Sequence, residues 1–140
     1  AKEWIELGYN EIYPLLKNKR LSCKGRHFVI SDKNEYISFI NNHKIQGIKI
    51  HNTYVVKNTY LAKMYYSNQY EPSSLEYYLY CLTYIITHIS PDIIIHRISG
   101  DAPKDSLIVP EWNVHKKWAL NGLDKILKND NLKQGIFFDS

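Results

Sequence analysis

The residues best suited to chemistry lie in the segment 93–110, IIIHRISGDAPKDSLIVP. Three consecutive isoleucines run directly into His96 and Arg97, and Gly100 and Asp101 follow shortly after. An uninterrupted β-branched run is typical of a parallel strand that is covered on both faces. Ligands bind at the carboxyl ends of such strands, both in open α/β sheets and in barrels. We therefore expect the polar residues that follow the isoleucines to belong to a functional site.

Each polar residue of this segment has a chemical and a structural interpretation. Arg97 carries a permanent charge and could bind a carboxylate such as that of Asp101, or a ligand anion. Because side chains alternate along a strand, His96 and Arg97 are predicted to face opposite sides of the sheet. Gly100 would let a ligand approach the backbone closely. Asp101 could instead shape a tight turn by bonding its own backbone, so both interpretations stay open.

A second candidate pair lies on the strand predicted over residues 45–56. Lys49 and His51 share one face of that strand, and Ile48 and Ile50 share the other. Burying a lysine and a histidine without partners would be costly. The pair therefore lines a solvated pocket or lies on an exposed face, and the pattern alone does not choose between the two.

Several classes of protein are excluded by what the sequence lacks. The 140 residues contain no GxSxG, P-loop, GxGxxG or HExxH motif. The two cysteines, Cys23 and Cys81, are too far apart and too few for a metal framework or a disulfide scaffold. A net charge of +4 permits a polyanionic partner without requiring one. With no run of eighteen apolar residues and no signal-peptide pattern, we expect a cytoplasmic protein without membrane contact.

The elements that must position these residues predict an α/β protein with parallel strands joined by crossover helices. Asn113 is predicted to cap the last helix, in which Trp118 is buried, and Ser73 with Glu76 forms a capping box before the preceding one. Residues 1–26 form an N-terminal helical segment of unassigned position, and residues 27–140 form the main unit. Strands are predicted at residues 27–30, 45–56 and 93–98, and helices at residues 33–42, 60–67, 74–89 and 114–128.

Two stretches resemble a known family. The sequence IQGIKIHNTYVVKNTYLAKMYYSNQYEPSSLEYY, followed by PDIIIHRISGDAPKDSLIVPEW and a helix ending near LKQG, is similar to a group of bacterial radical-SAM proteins related to the elongator catalytic subunit. The similarity covers about residues 46–135. It implies the last strands and helices of a partial TIM-like (βα)6 barrel with a C-terminal helix.

The resemblance also implies cofactors and a site. Enzymes of this family reductively cleave S-adenosylmethionine at an iron–sulfur cluster. By that resemblance Lys49, His51 and Arg97 would lie near the active end of the barrel. Ile98, Gly100 and Asp101 would lie near bound S-adenosylmethionine.

The sequence departs from the family in one respect that bears on function. The cluster-binding CxxxCxxC motif is absent, and Cys23 and Cys81 cannot supply three clustered thiolates. We therefore expect the C-terminal part of a radical-SAM, Fe-S oxidoreductase-like enzyme that is inactive alone. The alternative is a stand-alone α/β binding or interaction module, with RNA as one partner. Exposed strand edges and an uncovered apolar face predict self-association, by edge pairing or by burying that face against a second copy, unless residues 1–26 fold back as a lid.

Overall fold

The computed structural model describes residues 33–43, 45–115 and 117–139. The predictions for Cys23, for the segment 1–26 and for a strand at residues 27–30 lie outside these residues. In chain order the elements are α1 Lys33–Asn42, β1 Gly47–Lys49, β2 Val55–Val56, α2 Tyr60–Tyr66, α3 Leu75–His88, β3 Ile94–Arg97, β4 Leu107–Val109, a 3-10 helix Glu111–Val114 and α4 Trp118–Asn129.

A parallel strand pair lies at the centre of the fold. β1 and β3 run in the same direction, with Gly47 opposite Ile94 and Ile48 opposite Ile95. The connection between them contains β2, α2 and α3, as a parallel crossover requires. The α/β class predicted from the sequence is therefore confirmed. The strand predicted over residues 45–56 ends early, because β2 leaves this sheet and pairs antiparallel with β4 in a second one.

Three helices cover one face of the parallel pair. The buried cluster joins residues from α1, α3 and α4 to isoleucines of the strand region. Ile48 and Ile95 pack against this cluster from neighbouring strands, so their side chains mark the face that the helices cover. The buried members are Ile40, Ile50, Leu79, Leu82, Ile85, Ile86, Ile89, Ile93 and Leu123.

Burial differs from the prediction at two large side chains. Ile94 is 59% exposed, because in the described part of the chain the helices cover only one face of β3. The expectation that both faces of the isoleucine run are covered is therefore wrong for these residues. Trp118 is 50% exposed and stacks on His115. Among the described residues the buried tryptophan is Trp112, whose indole N–H donates to the carbonyl oxygen of Ser73 at 3.1 Å.

The starts of the last three α-helices differ in how they are capped, and two of them differ from the predictions. Thr59 caps α2, as its hydroxyl accepts from the N–H of Ala62 at 3.1 Å. Ser74, and not Ser73, caps α3 and accepts from the N–H of Tyr77 at 3.1 Å. The last helix begins at Trp118, after the 3-10 helix that contains Asn113. Asn113 is thus not a helix cap, and its side chain is free to bond elsewhere.

The segment after α4 closes the end of α3 and holds the start of β3. The backbone N–H groups of Gly135 and Phe137 donate to the carbonyls of Ile86 and Thr87 at 3.0 and 2.8 Å. These carbonyls belong to the last turn of a helix, where no helical partner remains. The side chain of Gln134 donates to the carbonyls of Ser90 and Ile93 at 2.9 and 2.7 Å. The amino end of β3 is therefore fixed by the C-terminal segment.

Candidate functional site

Lys49, His51 and Arg97 lie on the side of the parallel pair that the helices leave uncovered. Because Ile48 and Ile50 pack into the core, the alternating positions of Lys49 and His51 project to the other side. Arg97 is the register partner of Lys49 on β3, and both side chains are exposed. We call this side the open face, formed by Gly47, Lys49, His51, Ile94, His96 and Arg97. The predicted grouping of Lys49 with His51 therefore matches the geometry.

A β-bulge sets the direction of Arg97. Ile48 pairs with Ile95, but the next residue, Lys49, pairs with Arg97, so His96 is an extra residue in β3. The imidazole of His96 lies over Gly47, where an added Cβ would come within 2.6 Å of its Nε2. Both His96 and Arg97 thus lie on the open face. The prediction that they face opposite sides is wrong, because it assumed a strand with an unbroken period of two.

Arg97 and His51 approach one another across the strand pair. Nη1 of Arg97 lies 3.4 Å from Nε2 of His51, which makes this a long polar contact. On its other side, the imidazole of His51 packs directly against Gly100, where an added Cβ would collide with its Nδ1. Gly100 is itself buried. A glycine is therefore required here because the ring of His51 fills the space that a side chain would need.

Two buried asparagines hold the backbone of Gly100. The N–H of Gly100 donates to Oδ1 of Asn52 at 3.0 Å, and its carbonyl accepts from Nδ2 of Asn113 at 2.9 Å. Nδ2 of Asn52 in turn donates to Oδ1 of Asn113, which closes a ring of three hydrogen bonds. Asn52 is 4% exposed and Asn113 is 5% exposed. Buried polar groups need such partners, and here the partners come from two loops and the 3-10 helix.

The Asn52–Asn113 pair joins the segments that follow β1, β3 and β4. It fixes the residues after Arg97 against the ring of His51 and so determines the shape of this end of the sheet. Neither asparagine was predicted to belong to the site: Asn52 had no predicted role, and Asn113 was predicted to cap a helix. The available signal was weak, because asparagine is common in turns and caps, and these bonds join residues 48 and 61 positions apart.

The remaining predicted residues contribute backbone atoms to the contacts. The hydroxyl of Tyr78 donates to the carbonyl of Ile98 at 2.5 Å, and that of Tyr54 donates to the carbonyl of Asp101 at 3.3 Å. The side chain of Ile98 packs against the core, whereas Asp101 is exposed. The structure thus brings Lys49, His51, Arg97 and Gly100 together, and it places Ile98 and Asp101 beside them along the chain.

The residues of this chain do not fit an iron–sulfur cluster. Such a cluster needs three clustered thiolates, and the sequence has only two cysteines. Cys81 is a free, half-buried thiol on α3. In residues 33–43, 45–115 and 117–139, no three His, Cys, Asp or Glu side chains are grouped closely enough to hold a metal ion. The open face has instead the donor groups of an organic ligand site: two cationic side chains and two imidazoles.

Comparison with known families gives this arrangement a context. The family described as the Radical_SAM C-terminal domain matches residues 45–129, from just before β1 to the end of α4. The chain belongs to this family. The match contains the open face, the Asn52–Asn113 pair and every residue of the predicted site.

The chain is also similar to individual proteins. The uncharacterized protein YtqA of Bacillus subtilis (strain 168) is 37% identical over 94 residues, which are 67% of this chain and 29% of that protein. The uncharacterized protein MJ0486 of Methanocaldococcus jannaschii is 33% identical over 96 residues, 68% of this chain and 30% of that protein. Protein YhcC of Escherichia coli (strain K12) is 32% identical over 91 residues, 65% of this chain and 29% of that protein.

The match spans less than a third of each of these curated relatives. The match therefore does not establish the activity of a complete protein of this family. The more specific relation to the elongator catalytic subunit stays a prediction. None of the helices in the described part of the chain combines the length and hydropathy needed to cross a bilayer.

Proposed function

We propose that this chain supplies the last strands and the C-terminal helix of the barrel of a radical-SAM, Fe-S oxidoreductase-like enzyme. One observation carries the proposal: in a member of the Radical_SAM C-terminal domain family, Lys49, His51, Arg97 and Gly100 converge at the carboxyl end of a parallel strand pair. In barrels that end of the strands is where ligands bind. The expected ligand is S-adenosylmethionine, whose reductive cleavage supplies the radical chemistry of such enzymes.

The residues of the open face suit part of this ligand. One of the two cations, Arg97 or Lys49, can donate to the carboxylate of the ligand's amino-acid end, and Arg97 could do so with two parallel N–H groups. Nε2 of His51 faces Arg97 and acts as the acceptor in that contact, because a guanidinium can only donate. Because Gly100 has no side chain, the ring of His51 packs directly against its backbone, so Gly100 positions His51 and does not itself offer space to a ligand. Asp101 is exposed and offers an acceptor for a hydroxyl or ammonium group.

The chain alone is proposed to be inactive. Reductive cleavage requires an electron from an iron–sulfur cluster, and the two cysteines of the sequence are too few to hold one. The cluster ligands would therefore come from polypeptide other than these 140 residues.

A chimera tests the proposal. Residues 45–129 would replace the matching segment of Bacillus subtilis YtqA, and the product would be reconstituted anaerobically with iron and sulfide. We expect the parent and the chimera to release 5′-deoxyadenosine from S-adenosylmethionine, and we expect Arg97→Ala to abolish that release. Lys125→Ala, at an exposed position on α4, is the matched control.

Two results would contradict the proposal. A cluster-loaded parent and chimera that both leave S-adenosylmethionine intact would remove the proposed reaction. Full cleavage by a folded Arg97→Ala chimera would leave the reaction standing but remove Arg97 from the site. Circular dichroism and iron content separate both results from a failure to fold.

A further inference from the structure

Lys49 and Arg97 form an unusual pair on the open face. They are register partners on neighbouring parallel strands, and both side chains are exposed on the same side of the sheet. Neighbouring strands are about 4.8 Å apart, so the two cationic side chains start from adjacent backbone positions and can reach one ligand group together. In the part of the chain that the structure describes, Arg97 contacts His51 and no carboxylate forms an ion pair with Lys49 or Arg97. An anion that contacts both side chains would therefore be attracted by two positive charges at once.

S-adenosylmethionine cannot neutralise this pair. It carries a positive sulfonium and a positive ammonium against a single carboxylate, so its net charge is positive. Its carboxylate could balance one of the two cations at most, and its sulfonium would be repelled by both. A phosphate group carries up to two negative charges and three strong acceptor oxygens, so it could balance Lys49 and Arg97 together. The planar fork of an arginine is well suited to such a group.

We propose that the open face binds the phosphate group of an anionic ligand, with Arg97 and Lys49 as its charged partners. His51 and His96 add ring nitrogens on the same side of the sheet. Calling this ligand the substrate rests on the function proposed above, but the phosphate binding itself does not. Phosphate and S-adenosylmethionine would then use neighbouring parts of one end of the sheet.

The surrounding structure holds these groups in place before a ligand arrives. Lys49 and Arg97 are the last residues of β1 and β3, both of which are backed by the helices. The ring of His51 is held between Arg97 and the buried backbone of Gly100. Gly100 is fixed on both of its polar atoms by the Asn52–Asn113 pair. Supporting contacts of this kind reduce the ordering that binding would otherwise require.

Inorganic pyrophosphate is the probe, titrated at low ionic strength into the full 140-residue chain and followed by heteronuclear NMR. We expect one saturable site whose shift changes centre on Lys49, His51 and Arg97. Arg97→Gln and Lys49→Gln should each weaken binding by roughly tenfold or more, the loss expected for one charge-assisted contact. Lys125→Gln and Lys128→Gln remove the same charge from exposed positions on α4, and they should bind like the unaltered chain.

Three results would overturn the proposal. The first is a titration that does not saturate, and the second is an equal loss of binding in the α4 control variants. Either result would show that pyrophosphate is attracted by the overall positive charge of the protein and not by a specific site. The third is much tighter binding of single-stranded RNA than of pyrophosphate, with an affinity that rises with the length of the RNA. The open face would then be an RNA-binding surface and not a site for a single phosphate group. Failure of the chimera to cleave S-adenosylmethionine would leave the pyrophosphate result unaffected, so the two proposals can fail separately.

Discussion

Replacing Asn113 by alanine gives the most direct measure of how firmly the site is held. The change removes the amide that donates to the carbonyl of Gly100 and accepts from Asn52. Asn113 is 5% exposed and Asn52 is 4% exposed. The carbonyl of Gly100 and Nδ2 of Asn52 would thus each lose a partner in a buried place.

The size of the effect follows from these two atoms. A buried polar atom that loses its partner costs about 1–3 kcal/mol. We expect Asn113→Ala to lower the free energy of unfolding by about 2–4 kcal/mol, because a water molecule in the vacated space would replace part of the bonding. A domain is stable by only about 5–15 kcal/mol. The variant should therefore fold but unfold at a distinctly lower urea concentration.

The assay is urea denaturation followed by circular dichroism, combined with a double-mutant cycle. Asn52→Ala breaks the same bond between the two amides, so the double variant should lose less than the sum of the single ones. We expect a coupling energy of about 1–2 kcal/mol, within the range for residues of one network. Asn121→Ala is the matched control, since Asn121 is exposed on α4 and its replacement should change stability by less than about 0.5 kcal/mol.

The reasoning would be refuted by either of two outcomes. A loss below about 0.5 kcal/mol for Asn113→Ala would mean that the buried amide contributes no more than a surface residue does. Strict additivity of the two single changes would mean that the asparagines do not act on one another. The backbone amide of Gly100 gives an independent reading, because its hydrogen exchange should accelerate in both single variants if its bond partner is lost or displaced.

Two further predictions concern cofactor loading and assembly. Anaerobic reconstitution of this chain with iron and sulfide should give no stoichiometric cluster signal by electron paramagnetic resonance, because three thiolates are required; a signal that survives Cys23→Ala and Cys81→Ala would disprove this. Each strand of the parallel pair has a single partner among the described residues, so we expect self-association through the outer strand edges. Light scattering over a concentration series tests it: a monomer mass at high concentration would refute edge pairing and favour a lid formed by residues 1–26, whose deletion should then cause aggregation.

The sequence predicted the parts of the fold that depend on local pattern. Helical periodicity and caps located α1, α2 and α3 to within a residue or two, and the isoleucine run located β3. The carboxyl-end rule for parallel strands pointed to the polar residues after the isoleucine run, and the resemblance to the radical-SAM family implied that Lys49, His51 and Arg97 lie near one site. The helices and β3 are predictable because each depends on residues close together in the chain.

The parts that were missed depend on contacts between distant segments. The bonds of Gly100 to Asn52 and Asn113 cross 48 and 13 positions, and no local pattern distinguishes a buried amide from one in a turn.

The expectation that the open face is apolar was also wrong. Its exposed side chains are Ile94 together with the polar Lys49, His96 and Arg97, so burying this face against a second copy would bring like charges together. Edge pairing is therefore the remaining route to self-association.

The residue pattern around His96 does indicate the bulge. Ile93 and Ile95 both face the helices, so an unbroken strand would turn Arg97 toward them as well. Burying an arginine there without a partner would be costly. One extra residue moves Arg97 to the open face opposite Lys49 and returns Ile98 to the core. Ile95 and Ile98 both pack against the core but are three residues apart, and this odd spacing indicates the extra residue. His96, the extra residue, keeps Arg97 out of the core and places it beside Lys49.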